Sequence, residues 1–123
     1  MTDVVAAIIK KENKFLIVQR NRNKHLGLKW EFPGGKVQES ETFKEALLRE
    51  IKEELNIIIN MHKKIGEEKY KDDKIDIFLH YYLCSYESGI MELSEHEAFA
   101  WVEKKDFNKY DFAEGDSNML YLL

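Results

Sequence analysis

A helix-forming segment in the middle of this 123-residue chain carries three glutamates on one side, and this crowding of negative charge restricts its fold and chemistry. Glu50, Glu53 and Glu54 are spaced i, i+3 and i+4, so their carboxylates lie side by side on one helix. Like charges at this spacing repel by roughly 0.2–0.5 kcal/mol per pair in an isolated helix. A divalent cation would reverse that repulsion, and Mg²⁺ prefers a few carboxylates together with water and phosphate oxygens. The spacing therefore predicts a metal site for phosphate chemistry.

The pattern predicts that this helix runs from Thr42 to Leu55, with Ser40 as its N-cap. Its apolar residues form one arc along the helix: Leu47, Leu48, Ile51 and Leu55. At about 100° per residue, the three glutamates lie beside that arc, at the edge of the buried face. The structural alternative is an acidic helix that is wholly solvated.

The other apolar runs predict strands around this helix. They cover Val4–Ile9, Phe15–Val18, Trp30–Phe32, Ile57–Ile59 leading into Glu67–Tyr70, Lys74–Tyr86 and Ala98–Val102. Bulky residues alternate on both faces of Lys74–Tyr86, which indicates a strand inside the sheet. A short helical turn is predicted to begin at Lys104–Phe107 and a C-terminal helix at Asn118–Leu123. Mixed strands with one long helix predict a single α+β domain over residues 1–123, arranged as an α/β/α sandwich.

Composition narrows the classes of function. The chain is 44% hydrophobic, which suits one compact core, and no apolar run has the length of a membrane span. Its single cysteine, Cys84, excludes an intramolecular disulfide and fits the reducing cytoplasm as a buried thiol without a chemical role. A net charge of -4 without a long basic block argues against binding a nucleic-acid polymer. A polyanionic substrate would therefore need bound cations to approach the acidic helix.

The segment from Gly35 to Ile57 resembles the Nudix box, written G-x5-E-x7-R-E-U-x-E-E-x-G-U, where U is a bulky aliphatic residue. Eight of the nine specified positions match, and they are Gly35, Glu41, Arg49, Glu50, Ile51, Glu53, Glu54 and Ile57. Asn56 stands where the box has its last glycine. That glycine closes the helix in a left-handed conformation, and asparagine is the side chain best suited to replace it. The resemblance implies a mixed sheet between helices.

The resemblance also implies roles for residues of the box. Glu50, Glu53 and Glu54 match the positions that bind metal in the family, and the backbone at Gly35 would add a carbonyl ligand. The implied cofactor is Mg²⁺, with Mn²⁺ as an alternative. Glu41 and Arg49 are expected to orient the ligand carboxylates, whereas the structural alternative for Arg49 is an ordinary surface ion pair.

Outside the box, the chain resembles MutT-like nucleoside triphosphate pyrophosphohydrolases. The segments that carry this likeness are Val4–Ile9, Trp30–Val37, Glu95–Glu97 before Trp101, and Phe112–Asp116. In that group a loop glutamate before the late strand contributes to the metal site and has been considered the general base. Glu95 is the first match and Glu97 the second, and either would otherwise be a solvated loop acid. His96, between them, is expected to be a surface histidine.

The resemblance implies that Asp116 hydrogen-bonds the edge of the nucleobase, although an aspartate there also suits the N-cap of the last helix. Phe32, Phe78 or Tyr82 would line an apolar wall for the base, against the alternative of purely core roles. Lys36 and Arg20 are candidates for contacting phosphate.

The predicted activity is Mg²⁺-dependent cleavage of a nucleoside triphosphate to the monophosphate and pyrophosphate, by a monomer or homodimer. 8-oxo-dGTP, in the sense of nucleotide pool sanitation, is the leading substrate and CTP or dCTP the alternative. The alternative from another class is a Nudix domain that senses a nucleotide without hydrolysing it.

Overall fold

Seven strands form one mixed β-sheet in the computed structural model, which describes all residues from 1 to 123. The strands are β1 (Thr2–Lys11), β2 (Lys14–Gln19), β3 (Trp30–Glu31), β4 (Gly34–Lys36), β5 (Ile58–Lys71), β6 (Asp76–Ser88) and β7 (Ala98–Glu103). The α-helices are α1 (Phe43–Leu55) and α2 (Glu114–Ser117), and two 3₁₀ helices cover Lys104–Lys109 and Leu120–Leu122. None of these helices is long and apolar enough to span a membrane.

Strand β1 lies in the middle of the sheet, parallel to β6 on one side and antiparallel to β2 on the other. The short strand β4 pairs with β1 at Val4–Ala6, and β7 pairs with β2. Residues 5–9 of β1 are all buried. A strand covered on both faces needs no polar alternation, which explains the continuous apolar run that begins at Val4. Strand β6 lies between β1 and β5, as the bulk on both of its faces predicts.

Two hydrophobic clusters lie on opposite faces of the sheet and confirm the predicted α/β/α sandwich. The α1 face, covered by helix α1, includes Val5, Ala7, Ile9, Leu47, Ile51, Leu55 and Cys84. The α2 face, covered by the first 3₁₀ helix and the C-terminal segment, includes Ala6, Ile8, Phe32, Leu79, Tyr81, Phe107, Phe112 and Met119. Odd and even residues of β1 and β6 therefore contact different helices.

The ends of helix α1 depend on two local conformations. Thr42, and not Ser40, is the N-cap: its Oγ1 accepts from the N–H of Glu45 at 3.1 Å, and Glu45 accepts from the N–H of Thr42 at 2.8 Å. Ser40 instead adopts φ +70°, so its prediction as the cap is wrong. At the other end Asn56 adopts the left-handed conformation, with φ +59°, in place of the glycine of the box. This confirms the left-handed conformation predicted for asparagine at that position.

The C-terminal region differs from the prediction. No helix begins at Asn118, because α2 starts earlier and spans only Glu114–Ser117, followed by the 3₁₀ turn. Asp116 lies inside α2, whose N-cap is Ala113, so the capping alternative for Asp116 is wrong. The predicted short helical turn after β7 is present, as a 3₁₀ helix that begins at Lys104.

Candidate active site

The three glutamates of helix α1 differ in exposure. The side chains of Glu50 and Glu54 are 15% and 14% exposed, whereas that of Glu53 is 60% exposed. Gly35 of β4 lies directly against Glu50, since a Cβ at this glycine would be 2.3 Å from the carboxyl carbon of Glu50. Only glycine leaves room for this approach. The pairing of β4 with β1 therefore brings the Gly35 backbone beside a carboxylate of the helix.

Arg49 connects four acceptors around these carboxylates. Its Nε and Nη2 donate to the two oxygens of Glu41 at 2.6 and 2.8 Å, and its Nη1 donates to Glu50 at 2.9 Å and to Glu53 at 3.3 Å. Nη2 also reaches the carbonyl of Lys36 at 3.3 Å. The hydrogen bonds from Arg49, with one from the backbone at Gln38, lower the pKa of Glu41 to about 2. This network is more than an isolated surface pair, and it orients Glu50 and Glu53.

The pKa of Glu54 is raised well above its ordinary value. Burial is the largest cause, followed by the hydrogen bond and charge of Glu50 and then by the charges of Glu95 and Glu31. A buried carboxylate among other carboxylates releases its proton readily only when positive charge arrives. The donor set, together with the Gly35 backbone beside Glu50, therefore fits a divalent cation.

The side chains do not yet enclose such an ion. No three acidic, histidine or cysteine side chains converge as a ready cage, since Glu50 turns to Arg49 and Glu95 turns to Lys24. Ligation would require rotation of these side chains. The assignment of Glu50, Glu53, Glu54, Glu95 and the Gly35 carbonyl as ligands stays a prediction.

Two ion pairs join the loop that carries Glu95 and Glu97 to the loop after β2. Lys24 Nζ lies 2.9 Å from Glu95, and Arg22 binds both oxygens of Glu97 at 3.1 and 3.2 Å. These cations lower the pKa of each glutamate. Glu95 is close enough to raise the pKa of Glu54, and Glu97 is not among its causes, which favours Glu95 as the loop acid of the site. Neither Lys24 nor Arg22 has a sequence signal, because loop contacts follow no periodicity.

His96 is not a surface residue, so that prediction is wrong. Its side chain is 7% exposed, and Nε2 lies 3.7 Å from an oxygen of Glu31 and 3.7 Å from an oxygen of Glu54. Glu31, which the sequence reasoning missed, also binds Arg20 Nη1 at 3.0 Å. The available signal was a glutamate between two aromatic residues, Trp30 and Phe32. Arg20, a candidate for phosphate, is therefore already paired, whereas Lys36 is exposed and forms no ion pair.

Asp116 is 5% exposed and accepts two hydrogen bonds inside the protein. The N–H of Phe32 donates at 2.8 Å and the hydroxyl of Tyr81 at 2.6 Å. Burial, and then the charge of Glu31, raise the pKa of Asp116 to about 7, against the opposing effect of these two hydrogen bonds. Near neutral pH the group is therefore present both as a carboxylate and as an acid, so it can accept or donate a hydrogen bond.

The two phenylalanines predicted to line the base lie on opposite faces of the sheet. Phe32 is buried on the α2 face against Phe107 and Phe112, next to Asp116. Phe78 stacks on His80, with ring centroids 4.4 Å apart, on the α1 face. Because the α2 face carries Asp116, Phe78 does not share a wall with it, and neither does Tyr82, which packs against the α1-face cluster. The structure therefore does not bring Phe78 and Asp116 together, and a role for Phe78 at the base stays a prediction.

One large cavity lies away from the carboxylates. It measures about 580 Å³ and is open, and its walls include Lys104, Phe107, Tyr110, Phe112 and Tyr121. None of the glutamates described above lines it. Size alone does not indicate the site, because hydrolysis of a phosphoanhydride needs groups that neutralise phosphate charge, and the acidic cluster that could hold a cation lies elsewhere.

Comparison with known proteins gives the class of this protein. The family model of the NUDIX domain matches residues 1–123. The CTP pyrophosphohydrolase of Escherichia coli K12 is 32% identical over 120 residues, which cover 98% of this chain and 89% of that protein. The 8-oxo-dGTP diphosphatase of Buchnera aphidicola subsp. Schizaphis graminum is 31% identical over 120 residues, covering 98% of this chain and 91% of that protein.

Solved structures agree. The solution structure of the DNA mismatch repair protein MutT, a Nudix hydrolase of methicillin-resistant Staphylococcus aureus 252, is 35% identical and superimposes with a TM-score of 0.77. The match covers 98% of this chain and 92% of that one. The chain therefore belongs to the NUDIX domain family. It is a MutT-like Nudix hydrolase that acts on phosphoanhydride bonds, which confirms the resemblance found in the box.

Proposed function

We propose that this hydrolase is a Mg²⁺-dependent nucleoside triphosphate pyrophosphohydrolase, and that residues 1–123 form one catalytic domain. The observation that carries the proposal is the buried carboxyl group of Glu54, which lies beside Glu50 and near the charges of Glu95 and Glu31, so that its ionised form needs a neutralising cation. Arg49 holds two of the glutamates in place. The names of the two relatives at 31–32% identity, both acting on nucleoside triphosphates, support the same class of substrate.

Each group of the site then has a distinct role. Glu50, Glu53, Glu54 and Glu95, with the Gly35 carbonyl, would hold Mg²⁺ or Mn²⁺. When bound, the cation would neutralise phosphate charge and lower the pKa of water. Glu95, whose pKa is lowered by Lys24, is ionised at neutral pH and is the candidate acceptor of the proton from water. The oxygen of water joins the internal phosphorus, the bond to pyrophosphate breaks, and the monophosphate and pyrophosphate leave.

Asp116 is the proposed base-reading group. This role is supported by its hydrogen bond from the N–H of Phe32 and by its pKa near neutrality. A carboxyl group that exists in both forms can match either a donor or an acceptor on the base edge. 8-oxo-dGTP is the proposed substrate, and CTP or dCTP is the second candidate because of the similarity to the E. coli CTP pyrophosphohydrolase. Lys36, which has no ion pair, is the better candidate for phosphate than Arg20, which Glu31 already binds.

The test is a phosphate-release screen with added pyrophosphatase over ordinary and oxidised nucleoside triphosphates and ADP-ribose, in Mg²⁺. Preferential turnover of 8-oxo-dGTP supports a sanitising enzyme, and preferential turnover of CTP or dCTP supports the second candidate. No turnover, with nucleotide binding still detected by calorimetry, would favour the sensor.

Two variants test the assigned residues in the same screen. Glu53→Gln should lower kcat by more than the roughly 10–100-fold that follows loss of a residue supporting a ligand. Unchanged activity would refute the metal assignment. Asp116→Ala should change the preference among bases far more than the hydrolysis of a generic triphosphate, and equal losses on all substrates would refute the base-reading role.

A cytoplasmic location fits the state of Cys84. This thiol is 1% exposed, and burial raises its pKa to about 12, so it is an unreactive part of the α1-face cluster. A protein with no disulfide and an inert thiol suits a reducing compartment.

A further inference from the structure

His96 lies in the loop before β7, wedged between strand β3 and helix α1. Its Nε2 is 3.7 Å from Oε2 of Glu31 and 3.7 Å from Oε2 of Glu54. Its Nδ1 is buried and has no hydrogen-bond partner, and it is the one buried side-chain nitrogen or oxygen in this state. The two ring nitrogens therefore have different environments: Nε2 faces two carboxyl groups, whereas Nδ1 faces no polar partner.

This asymmetry selects one tautomer. A proton on Nδ1 would bury an N–H donor without an acceptor, which costs about 1–3 kcal/mol, and would point the bare lone pair of Nε2 at the carboxylate of Glu31. A proton on Nε2 directs the N–H between Glu31 and Glu54 and leaves only a lone pair buried. The distance of 3.7 Å is longer than a hydrogen bond, and hydrogen bonds in active sites are often long until the substrate is bound.

The same asymmetry excludes a role for His96 as the general base. Nε2 already carries its proton in the favoured tautomer, and Nδ1 is sealed from solvent. The useful property of the ring is its single directed donor.

We propose that His96 is a positioning residue whose Nε2–H holds the carboxylates of Glu31 and Glu54 at a fixed separation. The proposal rests on the proposed function, in which Glu54 is a metal ligand. Removal of the donor would leave two carboxylates facing each other, so that Glu54 would move away from the metal site.

The contact also joins the two halves of the site. Glu31 precedes Phe32, whose N–H binds Asp116, and Glu31 is itself held by Arg20. His96 therefore connects the strand that supports the candidate base-reading group to the helix that carries the candidate metal ligands. A shift of β3 on binding a base would therefore move Glu31 and, through the His96 ring, change the position of Glu54.

The test uses side chains that mimic one ring nitrogen each. Glutamine places an amide N–H near the position of Nε2, and asparagine places the same amide near Nδ1, so the two variants are matched in chemistry. We expect His96→Gln to keep the affinity for Mn²⁺, measured by calorimetry without nucleotide, within a few-fold of the native value. His96→Asn and His96→Ala should weaken it by about 10–100-fold.

Steady-state kinetics should rank the His96 variants in the same order as their Mn²⁺ affinities, with the change in kcat and not in KM. In His96→Asn the kcat should fall while KM for the triphosphate changes little, because the ring contacts Glu31 and Glu54 and not the substrate. His62→Gln is the control, since His62 is exposed and binds only Ser85. Nitrogen-15 NMR of the native protein should show Nε2 protonated and Nδ1 bare.

A protonated Nδ1 in the native protein, or an asparagine variant that binds Mn²⁺ as tightly as the glutamine variant, would overturn the proposal. Calorimetry of Mn²⁺ binding and NMR of the ring nitrogens do not require turnover. An inactive native protein would therefore refute the proposed function and leave the test of His96 intact. If the variants fail to fold, the NMR measurement on the native protein still decides.

Discussion

At the scale of single residues, burial changes what a side chain can do. Asp116 is an ordinary acid in the unfolded chain, but in the fold it is 5% exposed and its pKa rises to about 7. Desolvation penalises the carboxylate, and the nearby charge of Glu31 adds to that penalty. The bonds from Phe32 and Tyr81 favour the carboxylate but do not offset the penalty. The site therefore contains a group that changes protonation near physiological pH.

This raised pKa predicts a pH dependence of stability. The folded-state pKa of Asp116 lies above its unfolded value, so its contribution is fully present below about pH 4 and is lost as pH rises through about 7. Each unit of difference corresponds to about 1.4 kcal/mol. Asp116→Asn should therefore flatten the decline in the free energy of unfolding between pH 5 and pH 8, measured with urea in EDTA.

The matched control is Asp111→Asn, because Asp111 pairs with Lys29 on the surface and its side chain is 74% exposed. Asp111→Asn should leave the decline in the free energy of unfolding with pH as it is in the native protein. An Asp116→Asn variant whose stability changes with pH as steeply as the native protein would show that this carboxyl titrates normally.

At the scale of elements, the helix that carries the glutamates depends on its first turn. Thr42 and Glu45 exchange hydrogen bonds in a capping box, while Ser40 two residues earlier is in the left-handed region. A non-glycine residue in that region is disfavoured by roughly 1–2 kcal/mol. The same helix ends at Asn56, where the left-handed conformation suits asparagine.

These assignments predict opposite effects at two neighbouring positions. Thr42→Ala should lower the free energy of unfolding by about 1 kcal/mol, because the N–H of Glu45 loses its acceptor. Ser40→Gly should leave it unchanged or raise it, since glycine adopts positive φ without strain. Urea unfolding measures both, and a larger loss at Ser40 than at Thr42 would restore Ser40 as the cap.

The pairing of the two loops makes a separate prediction at this scale. Lys24 neutralises Glu95 in the metal-free protein and therefore competes with a cation for that carboxylate. Lys24→Met keeps the length of the side chain and removes its charge, so half-maximal activity should need a few-fold less Mg²⁺. The effect is small because an exposed ion pair contributes under about 1 kcal/mol.

Arg22→Met is the control for this loop, because Arg22 binds Glu97 and not Glu95. Its Mg²⁺ requirement should equal that of the native protein. A higher requirement in Lys24→Met would mean that Lys24 assists binding of the metal and nucleotide and does not compete.

At the scale of the whole molecule, the sheet and the site meet at two adjacent glycines of β4. Gly34 packs against the central strand, where an added Cβ would be 1.9 Å from the carbonyl oxygen of Val5. Gly35 faces the helix, where a Cβ would be 2.3 Å from the end of the Glu50 side chain. Gly34 therefore allows β4 to pack against the backbone of β1, and Gly35 allows β4 to approach the Glu50 side chain of the candidate site.

This difference predicts that alanine at the two positions has different consequences. Gly34→Ala should prevent stable folding, because the backbone of β1 cannot move away. Gly35→Ala should fold, since Glu50 can rotate, but it should weaken Mn²⁺ binding by about tenfold or more. Circular dichroism and calorimetry measure the two effects, and a Gly35→Ala variant with native metal affinity would contradict the role of Glu50.

Local rules were enough to predict a large part of this protein. The helix, its three glutamates and the left-handed Asn56 follow from spacing within a few residues, and so do the apolar strands. The family follows from the same segment, because the box is a local pattern. The position of Arg49 beside Glu53 is also local, since residues four apart on a helix are neighbours.

The sheet face that each side chain occupies and the burial of the site residues depended on contacts between segments distant in the chain. Alternation along β6 separates Phe78 from Tyr81, but only the pairing of β6 with β1 decides which face meets α2 and Asp116. The burial of His96 and its approach to Glu31 and Glu54 join three elements far apart in the chain. The sequence by itself determines which side chains are neighbours along the chain. Burial and charge interactions depend on which side chains are neighbours in space, and only the tertiary structure decides that.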